Sequence, residues 1–346
     1  MTIMSAMSDN QNVYLSTLQI AKYKRMPSLK EIKNRIASVN NTRKITSAMK
    51  MVASSKLHHA QVMIENMLPY ETMLEHILKT FLASEADAKT VFSAEREVKS
   101  VAIIVFSSNS SLCGGFNANV IKSLITSIQR YKEEGINDII VYPVGRKVAE
   151  KVAKVGLKAA GDYTTLCDHP NAQQCIEIAH EIGKKFQKGE IDRVEMIYHH
   201  FKSAGSQILT QRRFLPININ EVDFTADKGR DLTSTIATKE SQEYLRQHAQ
   251  HQTVKEEAVK PLNDNFLVEP DMQTVLRKLI PQYLNLKLYT ALLDSNASEH
   301  AARMVAMQTA TDNADELLRQ LNLQYNKSRQ QAITNELLDL AGGSQE

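Results

Sequence analysis

The fold is decided by the stretch from Gln282 to Leu340, which reads QYLNLKLYTALLDSNASEHAARMVAMQTATDNADELLRQLNLQYNKSRQQAITNELLDL. It contains no Gly and no Pro, and it is rich in Ala, Leu, Met, Gln and Glu, which favour helices. At the helical rise per residue, one helix of this length would measure roughly 85–90 Å, far more than a helix packed inside a globular domain. The stretch therefore predicts a shaft or a coiled coil.

Apolar and small residues recur along this stretch with a period of about 3.5, which is the repeat of a coiled coil. Small Ala, Ser and Thr side chains bury little area each, so the helix needs a partner packed closely along it. The predicted seam comprises Ala297, His300 or Ala301, Met304, Met307, Thr311, Ala314, Leu318, Leu321, Tyr325, Ser328 and Ala332.

A second long helix is predicted near the start of the chain. Ser28 and Glu31 form a capping box just after Pro27, and only Pro69 interrupts the roughly 55 residues that follow, which would span about 80 Å. The apolar stripe predicted for this helix comprises Ile32, Ile36, Val39, Ile45, Met49, Val52, Met63, Met67, Tyr70, Leu74, Ile77 and Phe81. The capping box also makes Met26 a candidate for the true start.

The middle of the chain alternates apolar runs of strand length with helical stretches, which indicates an α/β layer with mostly parallel strands. Ser203-Ala204-Gly205 is typical of a hairpin turn between the last two strands. The predicted strands are Val101–Phe106, Ile139–Val144, Val194–Phe201 and Gln207–Phe214, and the predicted helices are Asn117–Glu134, Arg146–Val155 and Ala172–Lys188.

These patterns predict an α/β fold class: a long antiparallel coiled coil of the N- and C-terminal helices plus a central Rossmann-like α/β domain. The pairing is antiparallel because the domain joins the end of the first helix to the start of the second. We expect a flexible tail over 1–27, a coiled-coil shaft over 28–82 and 271–341, an α/β base domain over 98–219 and a polar insertion over 220–268.

Composition and motifs limit the classes of function that this chain can have. The 346 residues are 42% hydrophobic, and they contain neither an apolar run long enough to span a membrane nor a signal peptide. The three cysteines form no CxxC pair, and no phosphate-loop, GxSxG or HExxH motif occurs. We interpret Gly114 and Gly115 as turn residues, and we expect no catalytic, cofactor-binding or metal-binding residue in this chain.

Charge is distributed unevenly, although the net charge is only +3. Residues 22–56 hold ten Lys or Arg and a single acidic residue, Glu31. Such a run has three interpretations: a solvated helix face, a surface for nucleic acid, or a surface for an acidic protein partner.

Two stretches resemble the gamma subunit of F-type ATP synthase. They are residues 28–56, SLKEIKNRIASVNNTRKITSAMKMVASSK, and residues 297–337, ASEHAARMVAMQTATDNADELLRQLNLQYNKSRQQAITNEL. The Leu-Cys-Gly-Gly turn at residues 112–115 fits the same family, whereas Ser108–Ser111 departs from the acidic-basic-Gly sequence more common there. The insertion is also longer than in many bacterial relatives, and it lacks the cysteines of thiol-controlled chloroplast members.

The resemblance implies a non-catalytic rotor, bacterial in type. Its paired helices would turn inside a ring of alternating alpha and beta subunits, and its α/β domain would contact the epsilon subunit and the membrane ring of c subunits. Ion flow would turn this central stalk and shift each beta subunit between conformations, which drives ATP synthesis, or hydrolysis in reverse. The chain would then be a peripheral protein on the cytoplasmic side of the bacterial plasma membrane. It would have no nucleic-acid partner.

The resemblance also implies four partner-contact residues. Met49 matches a methionine that faces the beta subunits, while Arg303, Gln330 and Thr334 match positions that hydrogen-bond a loop of beta. Each has an ordinary alternative: seam packing for Met49, an intrahelical ion pair with Glu299 for Arg303, and solvated surface for Gln330. Two other functions stay open on the residues alone, a coiled-coil adaptor or nucleic-acid binder using the basic helix, and an α/β enzyme with helical extensions.

Overall fold

The computed structural model describes residues 28–84, 91–217 and 266–342. The predicted tail and all but the last three residues of the predicted insertion lie outside these ranges. The described elements are α1 (Leu29–Ser84), β1 (Ser100–Phe106), α2 (Phe116–Glu133), β2 (Asp138–Val144), α3 (Arg146–Val155), β3 (Lys158–Ala159), α4 (Thr164–Asp168), α5 (Ala172–Gln187), β4 (Arg193–Ser203), β5 (Ser206–Leu215) and α6 (Met272–Gly342).

The five strands form one sheet in the order β3-β2-β1-β4-β5. All neighbouring pairs are parallel except β4 and β5, which form the predicted hairpin around Ala204 and Gly205. The predicted α/β fold class is therefore confirmed. Sequence patterns missed β3 and α4, which are two and five residues long and carry no periodic signal.

Both faces of β1 are buried, as expected for a central parallel strand. Successive side chains point to opposite faces, so the strand divides its residues between two cores. Val101, Ile103 and Val105 pack with residues of α2 and α3. Ala102 and Ile104 pack with residues of α5 and with the domain-proximal parts of α1 and α6.

Two compact units contain the long helices. In the unit formed by residues 28–47 and 309–342, the Oγ1 atoms of Thr46 and Thr311 lie 2.9 Å apart, and Arg43 pairs with Asp315 at 3.0 Å. In the unit that spans residues 48–308, Lys287 pairs with Glu75 at 2.6 Å, and Thr290 donates to Glu71 at 3.1 Å. Within each unit, residues later in the sequence of α6 contact residues earlier in the sequence of α1, so the two helices pair antiparallel.

The start of α1 agrees with its predicted cap, because the backbone N–H of Glu31 donates to Ser28 Oγ at 3.2 Å. The helix α6 begins at Met272, one residue after the start of the predicted shaft segment at 271. It passes through Pro281 before it reaches the Gly- and Pro-free stretch. Burial of Leu276 and Ile280 in the core outweighs the loss of one backbone donor at the proline.

Candidate partner-contact site

The unit of residues 28–47 and 309–342 has a thin apolar seam. Ile32, Ala314 and Leu321 are buried there, and the buried Thr46 occupies a seam position through its hydroxyl contact with Thr311. Along α6 every predicted seam residue is buried or half-buried, including those of the other unit. The small side chains therefore have the packing role that the sequence predicted.

Gln330 and Thr334 lie on the exposed surface of α6, one helical turn apart. The Thr334 hydroxyl donates to the Gln330 backbone carbonyl at 2.9 Å. Apolar residues near them are exposed as well, among them Ile333 and Leu337. This end of α6 therefore exposes both hydrogen-bonding and apolar side chains.

Met49 is not a seam residue. Its side chain is 41% exposed, and Met51 and Val52 beside it are more exposed still. The apolar stripe predicted for α1 is therefore wrong at four exposed positions, which are Ile45, Met49, Val52 and Tyr70. The buried positions in this part of the helix are occupied by residues that mix small and branched side chains, namely Ala53, Leu57, Ala60 and Ile64.

Arg303 makes two contacts, each of which restrains its guanidinium. Nη1 pairs with Glu299 Oε1 at 2.7 Å, which is the intrahelical ion pair that the sequence offered as the ordinary alternative for Arg303. Nη2 donates to Ser110 Oγ at 2.7 Å, a contact that the sequence did not indicate. Burial raises the pKa of Glu299, and the charge of Arg303 opposes that shift.

The turn after β1 is held by side chains from several elements. The Ser108 backbone N–H donates to Asn117 Oδ1 at 3.0 Å, and Leu112 and Gly114 have positive φ angles of 68° and 59°. A Cβ atom at Gly145 would collide with the backbone carbonyl of Ser107, so this glycine permits close approach of two strand ends. These positions build a tight turn, as interpreted from the sequence.

The structure places Met49 and Arg303 in one compact unit and Gln330 and Thr334 in the other. Only Gln330 and Thr334 are joined by a hydrogen bond in the described structure. Within its own unit, Arg303 is joined to the Ser110 turn. Within the described residues, the four predicted contact residues therefore do not form one hydrogen-bonded group.

A buried charged cluster was missed by the sequence reasoning. Lys287 pairs with Glu75 and Glu71 at 2.6 and 3.5 Å, and all three side chains are less than one-fifth exposed. Burial opposes the charge on Lys287, but Tyr283 and the two carboxylates outweigh it and raise the lysine pKa. The only sequence signal was the presence of charges between apolar residues on two helices, which does not reveal their partners.

Neither a metal site nor a membrane span is found where the structure describes the chain. Residues 28–84, 91–217 and 266–342 contain no group of three His, Cys, Asp or Glu that could hold a metal ion. None of the helices in these ranges is long and apolar enough to cross a membrane.

The family assignment follows from sequence similarity. A family model described as ATP synthase matches residues 28–345. The chain is 50% identical to the ATP synthase gamma chain of Phocaeicola vulgatus over 319 residues, which are 92% of this chain and 99% of the relative.

The chain belongs to the ATP synthase gamma chain family. A gamma chain of Flavobacterium johnsoniae is 37% identical over 321 residues, with the same coverage of 92% and 99%. The gamma chain fold also resembles solved structures. A chain of the Euglena gracilis mitochondrial ATP synthase, OSCP/F1/c-ring, aligns with a TM-score of 0.55, 16% identity and coverage of 92% of this chain and 93% of that chain. A chain of the Tetrahymena thermophila central stalk/c-ring structure aligns with a TM-score of 0.50, 23% identity and coverage of 77% and 99%.

Proposed function

We propose that this gamma chain is the central rotor of an ATP synthase. Its paired helices turn within a ring of alpha and beta subunits, and its α/β domain contacts epsilon and the c ring at the membrane. Ion flow turns the chain, which shifts the beta subunits between conformations and drives ATP synthesis. The observation that carries the proposal is 50% identity to a gamma chain across 99% of that relative's length.

The surface of the paired helices supports rotation as the mode of action. A shaft can bias equivalent neighbours unequally only if its own surface is asymmetric. In the unit of residues 28–47 and 309–342, α1 carries five basic residues and one acidic residue, whereas α6 carries three basic and five acidic residues. The two sides of this unit therefore present opposite charge to whatever surrounds them.

The chain itself is proposed to be non-catalytic. Its contribution to turnover is differential contact: Met49, Arg303, Gln330 and Thr334 touch the ring subunits in some rotational states and not in others. Because a neighbour shifts only by its difference in contact energy between two states, weak and changing contacts suit this role better than one tight complex. In this proposal the chain is a peripheral protein on the cytoplasmic side of the plasma membrane.

Co-purification and one matched pair of variants test the proposal. The tagged chain should bring down alpha, beta and epsilon subunits. Gln330→Leu should lower the ATPase activity of the assembled complex without dissolving it, whereas Gln331→Leu, an equally exposed neighbour on another face, should change it less. Capture of nucleic acid in place of ring subunits, with a steep salt dependence, would favour the adaptor alternative.

A further inference from the structure

Three neighbouring side chains of α6 hydrogen-bond to the α/β domain, all within the unit that spans residues 48–308. Each contact reaches a different backbone or side-chain group of the domain. The contacts are Asp294 Oδ2 with His200 Nδ1 at 2.8 Å, Asn296 Nδ2 to the Cys167 carbonyl at 2.7 Å, and Ser298 Oγ to the His199 carbonyl at 3.1 Å. We call Asp294, Asn296 and Ser298 with these partners the α6 joint.

The α6 joint is buried. Asp294 is 5% exposed and Ser298 is fully buried, while His200 is 8% exposed. Hydrogen bonds in such surroundings are stronger than exposed ones, and leaving one partner unsatisfied is costly. The joint therefore holds one rotational setting of α6 against the sheet.

Apolar packing beside the joint also restrains α6. Ala297 and Ala301 pack with the β4–β5 hairpin, and the larger Tyr283, Leu284 and Leu292 are buried in the core of the same unit. Hydrogen bonds are directional and add a restraint against rotation of the helix about its own axis.

The helix α1 is connected to α6 by the charged cluster of Lys287, Glu71 and Glu75. Thr290 adds a hydrogen bond to Glu71 at 3.1 Å. A twist applied to α1 therefore reaches α6 within a few turns of the joint. The polar path from the helices into the domain runs through α6.

We propose that the α6 joint transmits torque between the paired helices and the α/β domain. This inference rests on the proposed rotor function, because it assigns the place where rotation of the helices becomes rotation of the domain. Asp294, Asn296 and Ser298 are positioning residues. They set the torsional stiffness of the rotor and leave the contacts with the ring unchanged.

The test measures angular fluctuation in the assembled complex. The ring is fixed to a surface, and a probe is attached through Glu133→Cys, an exposed position on α2, while the native cysteines are buried. The variants are Asp294→Ala and Ser298→Ala, each of which removes the side-chain group that makes the contact. The control is Arg130→Ala, which removes the 3.3 Å contact between α2 and Glu195 inside the domain.

The expected result is a softer rotor with normal unloaded ATPase activity. Arg303 adds a fourth directional contact from α6 to the domain through Ser110. Treating the four contacts as parallel springs, loss of one raises the torsional compliance up to roughly 1.3-fold. Arg130→Ala should leave the compliance unchanged even where it lowers thermal stability. If Asp294→Ala does not assemble, the smaller change Ser298→Ala decides.

Two failures are distinguishable. In the complex whose α6 joint is unmodified, a probe that never turns during ATP hydrolysis would overturn both the rotor function and the proposed role of the joint. A probe that turns normally, with the stiffness of both joint variants equal to that of Arg130→Ala, would overturn the joint alone.

Discussion

Arg303 joins the long helix α6 to the turn after β1, because its Nη2 donates to the Ser110 hydroxyl at 2.7 Å. The same guanidinium pairs through Nη1 with Glu299, whose side chain is 9% exposed. Ser110 lies in the Ser108–Ser111 stretch of this turn, and its hydroxyl accepts the hydrogen bond from Arg303.

Removing Arg303 should destabilise the chain. Arg303→Ala leaves the buried Glu299 carboxylate unpaired, and breaking such a pair costs about 3 kcal/mol in the free energy of unfolding. The double variant Arg303→Ala with Glu299→Gln should lose less, because no buried charge is left alone. Denaturant unfolding of the purified chain measures both, and equal losses would contradict this account of the pair.

Met49 and Leu57 lie on the same helix and should respond oppositely to truncation. Met49 is 41% exposed, so Met49→Ala should change the free energy of unfolding by less than about 0.5 kcal/mol. Leu57 is fully buried, and Leu57→Ala should cost about 2–5 kcal/mol. In the assembled complex Met49→Ala should lower ATPase activity; a variant of normal activity would remove Met49 from the proposed contacts.

Two buried histidines should make stability fall in mild acid. Burial lowers the pKa of both His199 and His300 to about 4. The unfolded chain binds protons at these sites below its ordinary pKa of about 6.5, while the folded chain does not until about pH 4. Stability should therefore decrease as pH falls through that window, by up to roughly 3 kcal/mol for each histidine.

The matched variants for this test are His300→Gln and His58→Gln. His300→Gln removes a buried titrating group and should flatten the loss of stability between pH 6.5 and 4, as measured by denaturant unfolding at each pH. His58 is exposed, so its variant should keep the full pH dependence. Identical pH profiles for the two variants would show that burial of His300 does not drive the effect.

The cysteines of the chain should react slowly with thiol reagents. Cys113, Cys167 and Cys175 are buried. Burial raises the pKa of Cys175 to about 12 and, with Glu299 adding to it, raises the pKa of Cys167. Labelling at pH 8 should be much slower in the folded chain than in denaturant, and ATPase activity of the complex should not respond to dithiol reduction. A clear redox response would contradict this expectation.

The sequence determined the seam of α6 more fully than that of α1. On α6 apolar and small residues recur with a period of about 3.5 from Ala297 to Ala332, so the buried and half-buried positions could be predicted from the pattern alone. On α1 the exposed Ile45 and Met49 are more apolar than the buried Thr46, and the pattern therefore indicated the wrong face. Apolar side chains kept on the surface mislead any prediction that equates hydrophobicity with burial.

The four longer strands of the α/β domain and its helices α2, α3 and α5 were also predictable, because each carries a local pattern, whereas the short β3 and α4 do not. The contacts of Arg303 with Ser110 and of Asp294 with His200 were not. They join residues about a hundred or more positions apart, and only the folded chain brings them together. The partner-contact residues came from family resemblance, which transfers positions but not the contacts this chain makes.

Observation of rotation in the assembled complex tests the proposed rotor function most directly. The alpha–beta ring is immobilised, and a probe is attached to the exposed position Glu133→Cys of the α/β domain. With ATP present, the rotor function predicts that the probe turns continuously in one direction. A probe that stays at a fixed angle while the same complexes hydrolyse ATP would contradict it.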